Sequence, residues 1–171
     1  VGTNVVTLTV TDAGGNTASC SFWVIVNENQ NPTITCPSNM VLSNSPGICG
    51  AVVNYNVNAN DNCPGFVVSQ TAGLASGSTF PLGTTNNSFL VTDNFGRTAT
   101  CAFTVSVSDT EAPIATCQNI SVNPTNGNPA TITPAQVTLS ASDNCGIANS
   151  SVNPNTFTCA QIGQNITATL T

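Results

Sequence analysis

The chemistry open to this chain rests on eight cysteines, seven carboxylates and a single arginine; histidine and lysine are absent. The cysteines are Cys20, Cys36, Cys49, Cys63, Cys101, Cys117, Cys145 and Cys159. No two are separated by fewer than 12 residues, whereas a zinc knuckle needs two thiolates on one short turn. An even count, wide spacing and no histidine predict disulfides, and with them an oxidising, extracellular compartment. The other reading is buried, reduced thiols in a cytosolic domain.

The carboxylates fall at recurring places: Asp12 and Asp93, Asp61 and Asp143, and Glu28, Asp109 and Glu111. Calcium is the metal such oxygen donors would suit, with Asp61, Asp109 and Glu111 as the candidates between repeats. No dense Asp-x-Asp-x-Asp loop is present, and each Asp is equally placed to turn the chain by bonding its own backbone. No metal is favoured, and no cofactor is expected. General acid–base work needs two carboxyls converging on one pocket, and this spacing offers none. Serine and threonine are plentiful but have no base to activate them, so no catalytic residue is expected and the chain reads as a non-enzyme. Arg97 alone cannot neutralise a phosphate backbone, which excludes nucleic acid. No run reaches the ~18 apolar residues of a membrane span, and no leader segment is recognisable at the start.

The elements that position these residues are repeated. Residues 1–36 align without a gap on 82–117, with 15 of 36 identical. Val10-Thr11-Asp12 answers Val91-Thr92-Asp93; Cys20, Phe22, Val24 and Val26 return as Cys101, Phe103, Val105 and Val107; Pro32 and Cys36 return as Pro113 and Cys117. Asp61-Asn62-Cys63 reappears as Asp143-Asn144-Cys145. One unit is about 80 residues long. The expected divisions are the back part of a module over 1–30, a complete module over 31–112 and the front part of a variant module over 113–171, in a chain that begins and ends within a unit.

Within a unit, Cys101, Phe103, Val105 and Val107 alternate with smaller or polar residues, the period of two of a half-buried strand. Other strands are expected at 32–35, 48–57, 66–71 and 78–80, and no segment has a helical period. With 5% charged residues but 26 Thr and 24 Asn, the composition suits pleated surfaces covered by hydroxyls and amides. The fold class is therefore all-β: tandem Ig-like β-sandwich modules, disulfide-clamped and arranged as an extended array. The linkers at 27–32 and 108–113 each end in proline, which predicts semi-rigid stacking.

The four cysteines of the complete module allow three connectivities. The third unit lacks a counterpart of Cys49 and gains Cys159, so a compensating exchange makes the Asp-Asn-Cys cysteine the shared member. That pairs Cys49 with Cys63, Cys145 with Cys159 and Cys36 with Cys101, and leaves Cys20 and Cys117 to partners in neighbouring modules outside the chain. Trp23 and Ile25 lie on the strand face opposite Phe22 and Val24, where the next unit has Thr104 and Ser106. They are the candidate contact surface, to be covered by a linker or by a neighbouring module, and Trp23 with Tyr55 could form a glycan platform. Sequons stand at Asn86, Asn119, Asn149 and Asn165.

Phe80-Pro81-Leu82-Gly83-Thr84-Thr85, Val91-Thr92-Asp93, Thr100-Cys101-Ala102-Phe103-Thr104-Val105 and Thr110-Glu111-Ala112-Pro113, with Ile34-Thr35-Cys36-Pro37, resemble the hyalin repeat (HYR) family. The resemblance spans 1–30 and 31–113. Over 113–171, where Gln118 replaces the proline, the chain is similar to a variant repeat of giant secreted surface adhesins of gliding Bacteroidetes. The resemblance implies an Ig-like fold, an extracellular or cell-surface position and adhesion, without catalytic residues. The function expected is a repeat segment of a long adhesive filament, for surface attachment or gliding motility. Its expected partners are neighbouring repeats, surface polysaccharide or an abiotic surface, with lateral self-association open because little charge opposes it. The competing readings are a spacer in a secreted hydrolase and a glycan-binding module.

Overall fold

The computed structural model describes residues 2–125 and 128–170. Val1, Asn126, Gly127 and Thr171, which the repeat reading spans, lie outside them. The described chain is all-β, and its strands take the period-two sequences first. β1 (Gly2–Thr11) and β2 (Thr17–Val26) form an antiparallel hairpin. The same hairpin returns as β9 (Gly83–Asp93) and β10 (Thr98–Ser108). Between them come β3 (Thr33–Thr35), β4 (Met40–Ser43), β5 (Ala51–Val52), β6 (Asn58–Asn60), β7 (Phe66–Ala72) and β8 (Thr79–Phe80). A four-stranded sheet has the order β4–β10–β9–β7, and β3–β6 and β5–β8 form two-stranded sheets, giving a sandwich-like arrangement. The remaining strands are β11 (Ile114–Cys117), β12 (Ala130–Thr131), β13 (Thr138–Ser142), β14 (Val152–Asn153), β15 (Thr156–Phe157) and β16 (Thr169–Leu170).

Two compact units emerge. One gathers the residues up to Met40 with Asn54–Gly77 and Thr85–Val105; the other gathers Val41–Val53, Ser78–Thr84 and the residues from Ser106 on. The first is built on Phe89, Val91, Phe103 and Val105, all buried. Tyr55 meets Phe103 and Phe89 edge-on, with ring centroids 4.9 and 6.0 Å apart, the offset geometry aromatic quadrupoles favour. Its hydroxyl donates to the Leu74 carbonyl at 2.5 Å. Tyr55→Phe keeps the ring and removes one of the two side-chain donors to that carbonyl, the other being the Gln70 amide at 3.0 Å, so a loss of about 1 kcal/mol is expected in urea unfolding. The second unit buries Ala51, Val53, Phe80, Val107, Ile132 and Val137.

Two expectations are corrected. Of the strand expected over 48–57 only β5 (Ala51–Val52) forms, since residues 45–50 fold into a loop in which Ser45 N–H donates to Gly50 O and Ile48 N–H to Ser45 O, and the next strand, β6, starts at Asn58. Gly50 is required there, since a Cβ would lie 2.5 Å from the Phe80 carbonyl oxygen. Helical turns are also present: α1 (Pro134–Val137) and a 3-10 turn at Cys159–Gln161. Each opens on a Thr whose amide is held by a glutamine three residues on, Gln136 and Gln161, a local cap that needs no apolar period.

Candidate functional site

The cysteines are the most consequential chemistry in the chain, and the structure sorts them into two bridges. Cys36 is joined to Cys101 and Cys49 to Cys145, with Cα atoms 5.7 and 4.7 Å apart. Cys20, Cys63, Cys117 and Cys159 are free among the described residues. The pairings Cys49–Cys63 and Cys145–Cys159 read from the repeat are thus replaced by one bridge between Cys49 and Cys145, both in the second compact unit.

The reason lies in the 45–50 loop. Glu111 Oε2 accepts from Gly47 N–H at 2.9 Å, and Asn44 Oδ1 accepts from Thr110 N–H at 3.0 Å, tying the loop to the 108–113 linker. From the other side the Asn144 side-chain amide donates to Ile48 O at 3.0 Å. Cys49 is thereby presented to the Asp143-Asn144-Cys145 box. Nothing local in the sequence separates this pairing from Cys49–Cys63, because both offer the same Asp-Asn-Cys box.

The earlier copy of that box has its own linker partner. The Asn62 side-chain amide donates to Glu28 Oε2 at 3.0 Å, Gln30 N–H donates to Glu28 Oε1, and the Arg97 guanidinium donates to the Glu28 carbonyl. The Cys63 thiol, the Gln30 amide and Asn62 hold the Glu28 carboxyl below its ordinary range, and Glu28 in turn pushes the Cys63 thiol up. A raised thiol pKa means less thiolate, the reactive form. Cys63 is therefore expected to react with iodoacetamide at pH 8 several-fold more slowly than exposed Cys20, and Glu28→Gln to speed it; quantitative peptide mass spectrometry measures both. Because the Glu28 pKa is depressed on folding, its contribution is in place above the ordinary glutamate value of about 4.3 and is lost as pH falls through the lowered value. Sequence reading took Glu28 as a recurring carboxylate and Arg97 as a lone cation but did not connect either with the other or with Asn62; the one cation in the chain was the available signal.

The calcium candidates separate. Asp109 lies with Asp143 and Cys145, their ligand atoms all within 4.8 Å of one another, but the Cys145 sulfur is spent in the disulfide. Asp109 Oδ1 accepts from Glu111 N–H and Asp143 Oδ1 from Cys145 N–H, and Glu111 is engaged with the 45–50 loop. Two carboxylates fall short of the six to eight oxygens calcium takes. Asp61 belongs to the other unit, its carboxylate oxygens buried without a hydrogen-bond partner among the described residues. Asp12 and Asp93 turn their hairpins: Asp12 Oδ1 accepts from Gly14 and Asn16 N–H, and Asp93 Oδ1 from Phe95 and Arg97 N–H, all at 2.8 Å. The Asn16 side-chain and backbone amides, then those of Gly14 and Gly15, hold Asp12 below its ordinary range.

Trp23 and Ile25 are 72% and 63% exposed. They share a face with Val5 and Thr3, their cross-strand partners, and with hydroxyl pairs Thr7–Ser21 and Thr9–Ser19 at 2.9 and 2.8 Å. Tyr55 is half-buried, its ring packed on Phe89 and Phe103 and its hydroxyl held by the Leu74 carbonyl, which removes it from any glycan platform with Trp23. No described helix is long and apolar enough to cross a membrane.

The HYR domain family matches residues 27–107. Hyalin of Strongylocentrotus purpuratus is 35% identical over 99% of this chain, and hyalin of Lytechinus variegatus 32% identical over 68%. The chain spans 15% and 23% of the length of these relatives. Among solved structures, protocadherin gamma B2 extracellular cadherin domains 3–6 align at a TM-score of 0.42 and 21% identity, covering 88% of this chain and 42% of that one. The gamma B7 EC3–6 cis-dimer structure aligns at 0.40 and 19%, covering 89% and 43%. Residues 27–107 accordingly match the HYR domain family, in a chain that is similar to hyalin along nearly its whole length.

Proposed function

We propose that this chain is a structural repeat segment of a long extracellular adhesive filament, acting mechanically rather than catalytically. The observation that carries the reading is a bridge, Cys49–Cys145, closed over a sequence separation of 96 residues, which on the repeat division of the sequence joins one repeat to the next. Such a bond resists tension where hydrogen-bond ladders would yield. A sparsely charged surface rich in Thr and Asn hydrates well and offers many weak hydrogen bonds to polysaccharide, while Trp23 and Ile25 supply an apolar contact. The similarity to hyalin supports an extracellular, oxidising location, the one in which such bridges persist. A finer reading, a cell-surface adhesin of the gliding Bacteroidetes type, rests on the motifs of 113–171.

Electron microscopy of native material sheared from its source, labelled with an antibody to this chain, tests the proposal. Long labelled threads with a regular bead repeat are expected. Compact labelled particles with a short tail would overturn it and favour a spacer in a secreted enzyme.

A further inference from the structure

The four-stranded sheet β4–β10–β9–β7 has one long edge left open. Its last strand, β7, is paired with β9 alone, from Phe66↔Asp93 to Gln70↔Phe89, with a register shift between Gln70 and Ala72. Just before it, the Gly65 carbonyl accepts from Asn94 N–H on the β9 side. In an antiparallel ladder, residues that bond to the partner alternate with residues that bond away from it. Val67 and Ser69 therefore bond to β9, and the N–H and C=O of Phe66, Val68 and Gln70 face the open edge. No other described strand or loop takes these groups up.

Folded proteins blunt such edges with lysine, proline, an inward charge, a bulge or simple brevity. β4, at the opposite edge, is four residues long. The stretch Phe66–Gln70 has none of these devices, and no residue from Asn62 to Thr92 is charged. Phe66, Val67 and Val68 are 39%, 65% and 40% exposed. Val68 sits directly opposite the fully buried Val91, on the same face of the sheet, yet keeps that much surface because no strand flanks it on the far side.

We propose that β7 joins two copies of this chain, edge to edge and antiparallel, about a twofold axis at Val68. That axis sets Val68 against Val68 and Phe66 against Gln70, so each free N–H of one copy meets a free C=O of the other. The three free positions are symmetric about Val68, which makes the edge complementary to itself, the condition for an isologous contact. Charge selects the same occupant. An acidic or basic strand would find no counter-charge between residues 62 and 92, whereas a second β7 brings no charge against another. On the outer face, Val67 of one copy then stands opposite Ser69 of the other. The seam is short, well below the ~1,200 Å² of a stable interface, so the pairing is weak and reversible. It lies wholly within the first compact unit. This inference concerns assembly and does not depend on the adhesive reading.

The test uses the full oxidised chain with its free thiols alkylated, so that no association is covalent. Sedimentation velocity from micromolar to millimolar concentration should carry the mass from 17.3 kDa towards twice that value. Amide hydrogen exchange read by NMR locates the contact. As concentration rises, the amides of Phe66, Val68 and Gln70 should slow several-fold, while those of Val67 and Ser69, already bonded to β9, should change little. Val67→Lys alters a mostly exposed side chain and puts two ammonium groups on one seam, so association should weaken several-fold. Ser69→Glu should weaken it likewise, and the two substitutions together should restore it by placing opposite charges across the seam. A chain that stays monomeric at millimolar concentration would overturn the proposal. So would association that leaves the Phe66, Val68 and Gln70 amides unchanged, which marks another surface, or a double variant no tighter than either single one.

Discussion

Stretched from its two ends, the oxidised chain should stop ~330 Å short of the length it reaches after reduction, at ~3.4 Å for each of the 96 residues between Cys49 and Cys145. The two bridges interlace, so their hidden lengths do not add. A taut chain passes from Cys36 along 13 residues to Cys49 and crosses directly to Cys145. The Cys36–Cys101 clamp, with a separation of 65 residues, is then slack. Cys49→Ser transfers the load to it, and the shortfall should fall to ~220 Å. Single-molecule force extension with and without reductant reads both lengths. An unaltered chain with a shortfall near ~270 Å would instead indicate Cys36–Cys101 with Cys145–Cys159, the pairing inferred from the repeat alone. The same bridges stabilise the folded chain at rest, each by roughly 2–4 kcal/mol through the unfolded state.

That contrast marks how far the sequence reaches. The hairpin Gly83–Asp93 with Thr98–Ser108 is legible because alternation over ten residues has one structural meaning. Met40–Ser43 is not, since four residues beside a proline-bearing turn carry no period; the strand exists because β10 offers it an edge. In residues 113–171 most strands are two to five residues long and are held by partners rather than propensity, so their places cannot be read from composition. The disulfide network fails for a different reason. A repeat states which positions are equivalent, and Cys63 and Cys145 are equivalent. It does not state whether Cys49 reaches the box in its own unit or in the next. That choice is made by Glu111, Asn44 and Asn144, whose hydrogen bonds aim the 45–50 loop at the following linker. Polar residues in linkers look interchangeable in sequence; here their direction decides a covalent bond.

The one cation shows the same principle in energetic form, and replacing it should cost the first unit about 2–3 kcal/mol. Asp93 has no exposed side-chain surface; its Oδ1 is satisfied by the hairpin amides, but Oδ2 has no hydrogen-bond partner. The compensation comes from Arg97, whose Nη1 lies 3.8 Å from that oxygen. The other guanidinium nitrogen donates to the Glu28 carbonyl, so one side chain both neutralises a buried carboxylate and fixes the preceding linker. Arg97→Met keeps the apolar stem and leaves the charge uncompensated. The cost stays below that of a fully buried pair because the Arg97 side chain is 29% exposed and water screens part of the attraction. Adding Asp93→Asn to the Arg97→Met variant retains the Oδ1 acceptor and removes the charge, and should recover at least half of the loss. Urea unfolding of the two single variants and the double variant closes the cycle. A double variant no more stable than Arg97→Met would mean that the Glu28 contact, not the buried carboxylate, is what Arg97 serves.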